Sequence, residues 1–349
     1  MRLKIILFRN RKEQQTRICN WLGLSVFIGL LSSLVCGFEV SAAEKSANHK
    51  LVIGYASVTG SRISLWAAHD LGFFRRQDLE SELIFIGTSS RGIPALIAGE
   101  IPVFSGSPET AAQAAARGAE LVMIASDEPT AYKLIVQPGI KTVEQLKGKK
   151  VGIDRIGGTS YYATRRLLER LGLQARDVEF MQIPGGGSDR VAAFRSGILS
   201  AMVTTIGRVE EAKVSYHVLA DALEMGVQFV GGAFLTTQSY RNRNRDLLQK
   251  FIRGLIEASY WVKTRKNRDG VLQIFSRHLR SGDPSFLQLN YRLYIDALPF
   301  FPYTNIETLR QNLADLAENN PKLRELNLND FVDNSFIQRV QQEGVGQPR

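Results

Sequence analysis

The stretch "VGIDRIGGTSYYATRRLLERLG", residues 151–172, reads as a β-branched strand, a glycine turn, a Thr-Ser pair and then a helix. A nucleotide phosphate loop has this layout, and Gly152, Gly157 and Thr159 fall where such a loop has its glycines and hydroxyl. Gly158, however, stands where that loop needs lysine, so no cation reaches a β- or γ-phosphate. What remains is a turn that lets backbone approach a ligand, with Thr159, Ser160 and the open N–H groups of a helix start aimed at it. Reversible binding fits this chemistry better than nucleotide hydrolysis.

The same unit recurs in both directions from this stretch. "LVIGYA", "SELIFIG", "PVFSG" and "LVMIAS" alternate with helical segments near Leu65–Leu71, Arg91–Ala98 and after Ser107. Such alternation implies parallel βαβ units in an α/β fold. Ser107 with Pro108, and Thr142 with Gln145, read as helix starts; Gly99, Gly118, Gly148, Gly172 and Gly197 read as stops. "IPALIAG" (93–99) and "VAAFRSG" (191–197) echo each other, each a short helix and stop glycine before a strand, and suggest two similar lobes. "YKLIVQPG" (132–139) and "VGGAFLTT" (230–237) flank the second α/β series like two crossings, which makes the first lobe discontinuous: 51–134 plus 236–349, with 135–235 as the second. Beyond Thr237, the residues Leu247, Leu248, Phe251, Ile252, Leu255, Ile256 and Val262 form one apolar helical stripe, the signature of a core face.

The chain has 349 residues, long enough for two domains with cores of their own, and is 44% hydrophobic, which excludes a disordered protein. Arg2, Lys4, Arg9, Arg11, Lys12 and Arg17 precede an 18-residue apolar run, Trp21–Phe38, and then the small-residue stretch "EVSAAEK". This pattern predicts a signal peptide over 1–43, cleaved near Ala42 or Ala43, with an uncleaved N-terminal anchor as the alternative. Val35 before Cys36 argues against lipoprotein processing. Cys19 and Cys36 both lie in this leader, so the mature chain has no disulfide or thiol chemistry. Of the net charge of +10, about +6 remains after the leader, without a polybasic tail or aromatic-basic interleaving, and this argues against nucleic acid as a partner. "RNRNR" at 241–245 reads as a solvated helix start.

His49, His69, His217 and His278 show no metal-helix spacing, and no G-x-S-x-G elbow occurs. What the chain does carry is five hydroxyl- and glycine-rich turns after strands: "SVTGSR" (57–62), "GTSSRG" (87–92), "SGSPET" (105–110), "GGTSYY" (157–162) and "GGGSDR" (185–190). At the carboxyl ends of strands in open α/β sheets such turns bind ligands, and their donors suit an anion or polar head group. Helix capping accounts for any one of them alone. Arg62, Arg91, Arg155 and Arg190, in or beside these turns, are candidate counter-charges for a carboxylate or sulfonate.

The stretches "SLWAAHDLGFFRRQDLESELIFIGTSSRGIPALIAGEIPVFSG" and "VEQLKGKKVGIDRIGGTSYYATRRLLERLGL", with "LTTQSY", "WVKTRKN" and "DFVDNSF", carry a resemblance over Leu51–Phe336. The chain resembles the solute-binding proteins of ABC importers in the nitrate, sulfonate and taurine class, whose wider family includes the pyrimidine-precursor (NMT1/THI5-like) proteins. The resemblance implies a two-lobed periplasmic-binding fold of type II, each lobe a mixed sheet flanked by helices, with a hinge of two crossing segments. It implies a monomer outside the cytoplasm that delivers a small solute to an ABC permease with a separate ATPase, without catalysis, cofactor or metal. Carried over residue by residue, the family's cleft falls on Ser57, Gly60, Ser61, Ser89, Ser90, Ser105, Gly106, Ser107, Gly158, Thr159 and Ser160, with Thr159 and Ser160 foremost.

Fungal enzymes of this fold that make a thiamine pyrimidine need a cysteine-rich motif, which the mature chain lacks. A pyrimidine binder, with Trp66, Tyr161 or Tyr162 as stacking groups, and a ligand sensor tied to a membrane partner are the alternatives. An exported enzyme using Asp154 or Asp189 is disfavoured, since neither has an evident nucleophile or metal beside it.

Overall fold

Lys150–Ile153 forms a strand and Thr159–Arg170 a helix, so the opening stretch folds as the strand, turn and helix its residue types specify. The computed structural model describes residues 49–126, 132–183, 187–227, 229–318 and 320–345; the expected leader at 1–43, and Gly185 and Gly186 of the fifth turn, lie outside them. The chain begins with β1 (His49–Tyr55), α1 (Ile63–Asp70), β2 (Leu79–Phe85), α2 (Ser89–Ile97), β3 (Val103–Gly106), α3 (Pro108–Ala115) and β4 (Leu121–Ser126). After a crossing come β5 (Lys133–Val136), β6 (Lys150–Ile153), α4 (Thr159–Arg170), β7 (Glu179–Gln182), α5 (Gly187–Arg195), β8 (Ala201–Thr204), α6 (Ile206–Glu211) and β9 (His217–Asp221). The chain returns through β10 (Ala233–Thr237) to α7 (Gln238–Arg243), α8 (Arg245–Lys263), α9 (Arg268–Leu279), α10 (Pro284–Ile295), α11 (Ile306–Leu316), α12 (Leu328–Phe331) and α13 (Ser335–Gln342).

The strands assemble into two five-stranded mixed sheets of the same plan, β2-β1-β3-β10-β4 and β7-β6-β8-β5-β9. Three parallel strands lie on one side of each sheet. An antiparallel strand, β10 or β5, then pairs the third parallel strand to the last one. Both inserted strands shift register after their second residue, at Phe234/Leu235 and Leu134/Ile135. The echoing segments close α2 before β3 and α5 before β8, equivalent places in the two sheets. Each ends on a left-handed glycine, Gly99 at φ +78° and Gly197 at φ +78°, a turn that side chains with a Cβ resist. β5 and β10 span the boundaries drawn from sequence at 134/135 and 235/236, and each belongs wholly to one sheet, so the chain changes sheets upstream of both points.

The apolar stripe on α8 packs as expected: Leu248, Phe251, Ile252, Leu255, Ile256 and Val262 are buried against α1, α9, α13 and one face of the first sheet, with Leu247 partly buried. The other face of that sheet shares a continuous core with α2, α3, α4, the second sheet and α11, through Phe229, Leu309 and Leu313. The helix expected from Thr142 is a single 3-10 turn, Glu144–Leu146. Gln145 accepts from the backbone N–H groups of Lys141 (2.6 Å) and Thr142 (3.1 Å), as a residue at a helix start does, but Gly148, at φ +70° and two residues before β6, stops the segment after this turn. No helix among the described residues is long and apolar enough to cross a membrane.

Candidate functional site

The three parallel strands of each sheet run toward a common cleft of about 640 Å³. Residues just past β1, β2 and β3 line it from one side (57–62, 87–90 and 106–110), and residues past β6, β7 and β8 from the other (154–160, 187–190 and 203–205). Most of these turns lead directly into a helix, so N–H groups and the positive ends of helix dipoles gather around one volume. The Gly158 start of α4 has no side-chain cap, and Thr88 before α2 has none either. Both helix starts keep N–H groups available to a bound oxyanion.

Three arginines line the same cleft. Arg62, 5% exposed, is fixed by donating to Ser105 Oγ (2.7 Å) and Ser57 Oγ (3.4 Å). Arg155 reaches across to Thr110 Oγ1 (3.3 Å). Arg190, on the first turn of α5, has its Nε buried without a hydrogen-bond partner among the described residues. Burial pulls the Arg190 guanidinium below its ordinary pKa, against the attraction of Asp154, Tyr132 and Asp189.

Where the two halves meet across the cleft, hydroxyls and a carboxyl form a seam. Thr159 Oγ1 lies 2.8 Å from Ser107 Oγ and donates to Glu109 Oε2 (3.1 Å), which also accepts from Ser107 Oγ (2.7 Å). Gln113 donates to the Gly157 carbonyl (2.6 Å) beside them. Glu109 is fully buried, and its Oε1 has no partner among the described residues. Burial pushes its carboxyl above the ordinary range, the Ser107, backbone and Thr159 hydrogen bonds oppose this, and the Asp154 charge adds to it. Burial likewise holds the Tyr132 hydroxyl protonated, with Glu109 reinforcing it.

Of the residues singled out from sequence, Ser57, Ser61, Ser89, Ser90, Gly106, Ser107, Thr159 and Ser160 line the cleft. Gly60, Ser105 and Gly158 sit behind it. A Cβ on Gly60 would come 2.2 Å from the Tyr294 ring, and Ser105 is fully buried beneath Arg62. A Cβ on Gly158 would meet the Asp154 carboxylate at 2.4 Å. The two foremost residues spend their hydroxyls internally: Thr159 in the seam, and Ser160 in accepting from the Asp154 N–H (2.7 Å) and donating to Asp154 Oδ1 (2.5 Å). Arg91 is exposed and off the cleft. The expected stacking groups are elsewhere: Trp66 is buried against His278, Tyr162 is buried, and Tyr161 packs on Phe180. The aromatic residues that do line the cleft are Phe85, Tyr132 and Tyr294. Sequence reasoning missed Glu109 and Tyr132, although Glu109 stands inside the quoted turn "SGSPET".

The profile of the "NMT1/THI5 like" family matches residues 61–265, from the first cleft turn through α8. The chain belongs to the NMT1/THI5-like family. Solved structures place this NMT1/THI5-like chain among periplasmic-binding folds, as the sequence resemblance implies. The periplasmic aliphatic sulphonate binding protein SsuA from Escherichia coli is 26% identical, with a TM-score of 0.62 over 78% of this chain and 88% of that one. The alkanesulfonate-binding protein SsuA from Xanthomonas axonopodis pv. citri, bound to MOPS, is 19% identical with a TM-score of 0.64, over 83% and 97%. The periplasmic nitrate-binding protein NrtA from Synechocystis PCC 6803 is 11% identical with a TM-score of 0.68, over 84% and 88%. No curated protein sequence matches the NMT1/THI5-like chain.

Proposed function

We propose that this chain is the extracytoplasmic solute-binding component of an ABC importer. It captures a small organic anion between two lobes and hands it to a permease driven by a separate ATPase. One observation carries the reading: two sheets of identical plan aim their strand ends, helix starts and Arg62, Arg155 and Arg190 at one cleft. The lobes follow the two sheets, with β1–β4 and β10 onward in one and β5–β9 in the other, so the boundaries drawn at 134/135 and 235/236 move upstream of β5 and β10, and the hinge lies at the two crossings between the sheets. The cleft side chains Ser57, Ser61, Ser89 and Ser90, with the backbone at Gly106, Ser107, Thr159 and Ser160, grip the solute, and Arg190 supplies the main counter-charge. The similar sulfonate- and nitrate-binding proteins support both the anion and the extracytoplasmic setting. A cleft of about 640 Å³ lies within the range of organic-ligand pockets and greatly exceeds the volume of a nitrate ion, which favours a sulfonate or aromatic carboxylate. The protein works as a monomer and a binder, without turnover.

Thermal unfolding of the chain from residue 44 onward, against sulfonates, nitrate, aromatic carboxylates and pyrimidines, tests this. A bound anion at about 100 times its dissociation constant stabilises by roughly 2.7 kcal/mol, a visible rise in midpoint. A response to pyrimidines alone, with every anion silent, overturns the anion reading.

A further inference from the structure

Glu109 is one of two carboxyl groups, with Asp154, in a cleft that Arg62, Arg155 and Arg190 also line. It lies at the start of α3 with Ser107 as N-cap, fully buried, in the seam where the two halves of the cleft touch. Its two oxygens differ in their surroundings. Oε2 accepts from Ser107 and Thr159, while Oε1, also buried, has no partner among the described residues. Charged and titratable groups lining the same cleft are Asp154 and Arg155 after β6, Arg190 on α5, Tyr132 before β5, Arg62 before α1 and Tyr294 on α10. The charge that acts most directly on Glu109 is the Asp154 carboxylate, which repels a second negative charge.

A buried carboxyl with one oxygen saturated by donors and the other free is satisfied either by a donor from the solute, cationic or neutral, or by a proton on the free oxygen. The walls select an anion, and an anionic group beside Glu109 offers no donor, which leaves the proton. We propose that Glu109 holds a proton in the solute-loaded protein and that its Oε1–H donates to the captured anion, so that binding an anion takes up a proton from solvent. This rests on the anion reading above. It makes Glu109 a specificity residue, a neutral acid that recognises oxyanion acceptors and rejects cations, with affinity rising as pH falls.

The test uses p-toluenesulfonate, which stays ionised at all working pH values, so any proton taken up goes to the protein. Calorimetric titrations in Tris and in triethanolamine, neither of them an anion, read proton uptake directly. The wild type is expected to take up close to one proton at its alkaline end, with Kd weakening by up to about tenfold per pH unit there. Glu109→Gln keeps a donor without needing a proton, so its Kd stays level from about pH 5.5 to about 8.5 and is tighter than wild type at the alkaline limit. Two results overturn the proposal: wild-type binding without proton uptake, or tighter binding of 4-(aminomethyl)benzenesulfonate that Glu109→Gln abolishes, which makes Glu109 a carboxylate for cations. If neither probe binds, an arylsulfonate is not the solute, and the solute-free protein decides the state of Glu109. With the folded-state proton held to higher pH than in the unfolded chain, wild-type stability falls as pH rises through that interval, and Glu109→Gln lacks the slope. Matching slopes for the two proteins overturn a protonated Glu109.

Discussion

Arg190 shows how one side chain sets binding against stability. Its Nε is buried without a partner among the described residues, and burial disfavours the charge the solute is expected to need. Arg190→Met, similar in length and apolar, therefore raises the melting midpoint of the solute-free protein and weakens anion binding by about 10- to 100-fold, the worth of a charge-assisted hydrogen bond. Melting curves with and without anion check both signs at once, and a variant that loses stability and binding together contradicts the account. The hydroxyl- and glycine-rich turns around this residue were legible in sequence because a cleft at strand ends must be built from residues that cap helices and let backbone approach. Which hydroxyls stay available was not legible. Thr159 and Ser160 look like the best donors in the chain, yet they bond to Glu109, Ser107 and Asp154, partners 6 to 52 residues away whose proximity exists only in the folded molecule. Glu109 was hidden for the opposite reason. A glutamate two residues after an N-cap serine and one after proline is the ordinary sequence of a helix start, and only its complete burial marks it out.

At the scale of elements, α8 is the keystone of the first sheet's outer layer. Phe251 is fully buried and packs on Phe74 (ring centroids 5.4 Å apart) and Phe234 (5.5 Å), joining the chain before β2, the inserted strand β10 and the helical tail. Phe251→Ala is expected to cost about 3–5 kcal/mol of stability by denaturant unfolding, with little change in solute affinity for the molecules that remain folded. A cost under about 1 kcal/mol shows that the layer collapses around the void. The α8 stripe was plain in sequence because its 3.6-residue period depends on local spacing alone. The short segment at Thr142 carries both a helix start, at Gln145, and a stop, at Gly148, and the two stand so close that only a single turn fits between them. The strands β5 and β10 posed a different difficulty. Sequence marked them as crossings, but pairing partners in a sheet are set by the other strands and cannot be read from four or five residues.

Across the whole molecule, the two sheets are joined by the shared core around Phe229, Leu309 and Leu313, by the Arg165–Glu318 pair between α4 and the turn after α11, and by a polar rim at the cleft. Gln113 to Gly157, Arg155 to Thr110 and the Ser107–Thr159 pair join one rim, and Lys213 approaches Asp283 at 3.6 Å on the exposed α6–α10 side. Exposed pairs such as the last contribute little, so a solute held between the two rims is expected to add to closure. A solute-saturated sample should have a smaller radius of gyration by small-angle X-ray scattering than the solute-free protein, and Gln113→Ala should open the free protein further. Identical scattering curves in all three samples rule out lobe closure. The two sheets share one plan, yet their strands are gathered differently along the chain. The second sheet is assembled from consecutive residues, β5 to β9, whereas β4 in the first pairs with β10 and, through a single bridge at Met123, with Val332, both far later in the chain. During synthesis, the half that starts first is therefore completed last. Until Thr237 has been made, β4 waits with its hydrogen-bonding edges open and the first sheet cannot close, while the second already has every strand it needs. The fold thus carries a timetable: a growing chain keeps its leading half unfinished for most of its production, and a late strand of five residues completes the first sheet before the helical tail can cover it.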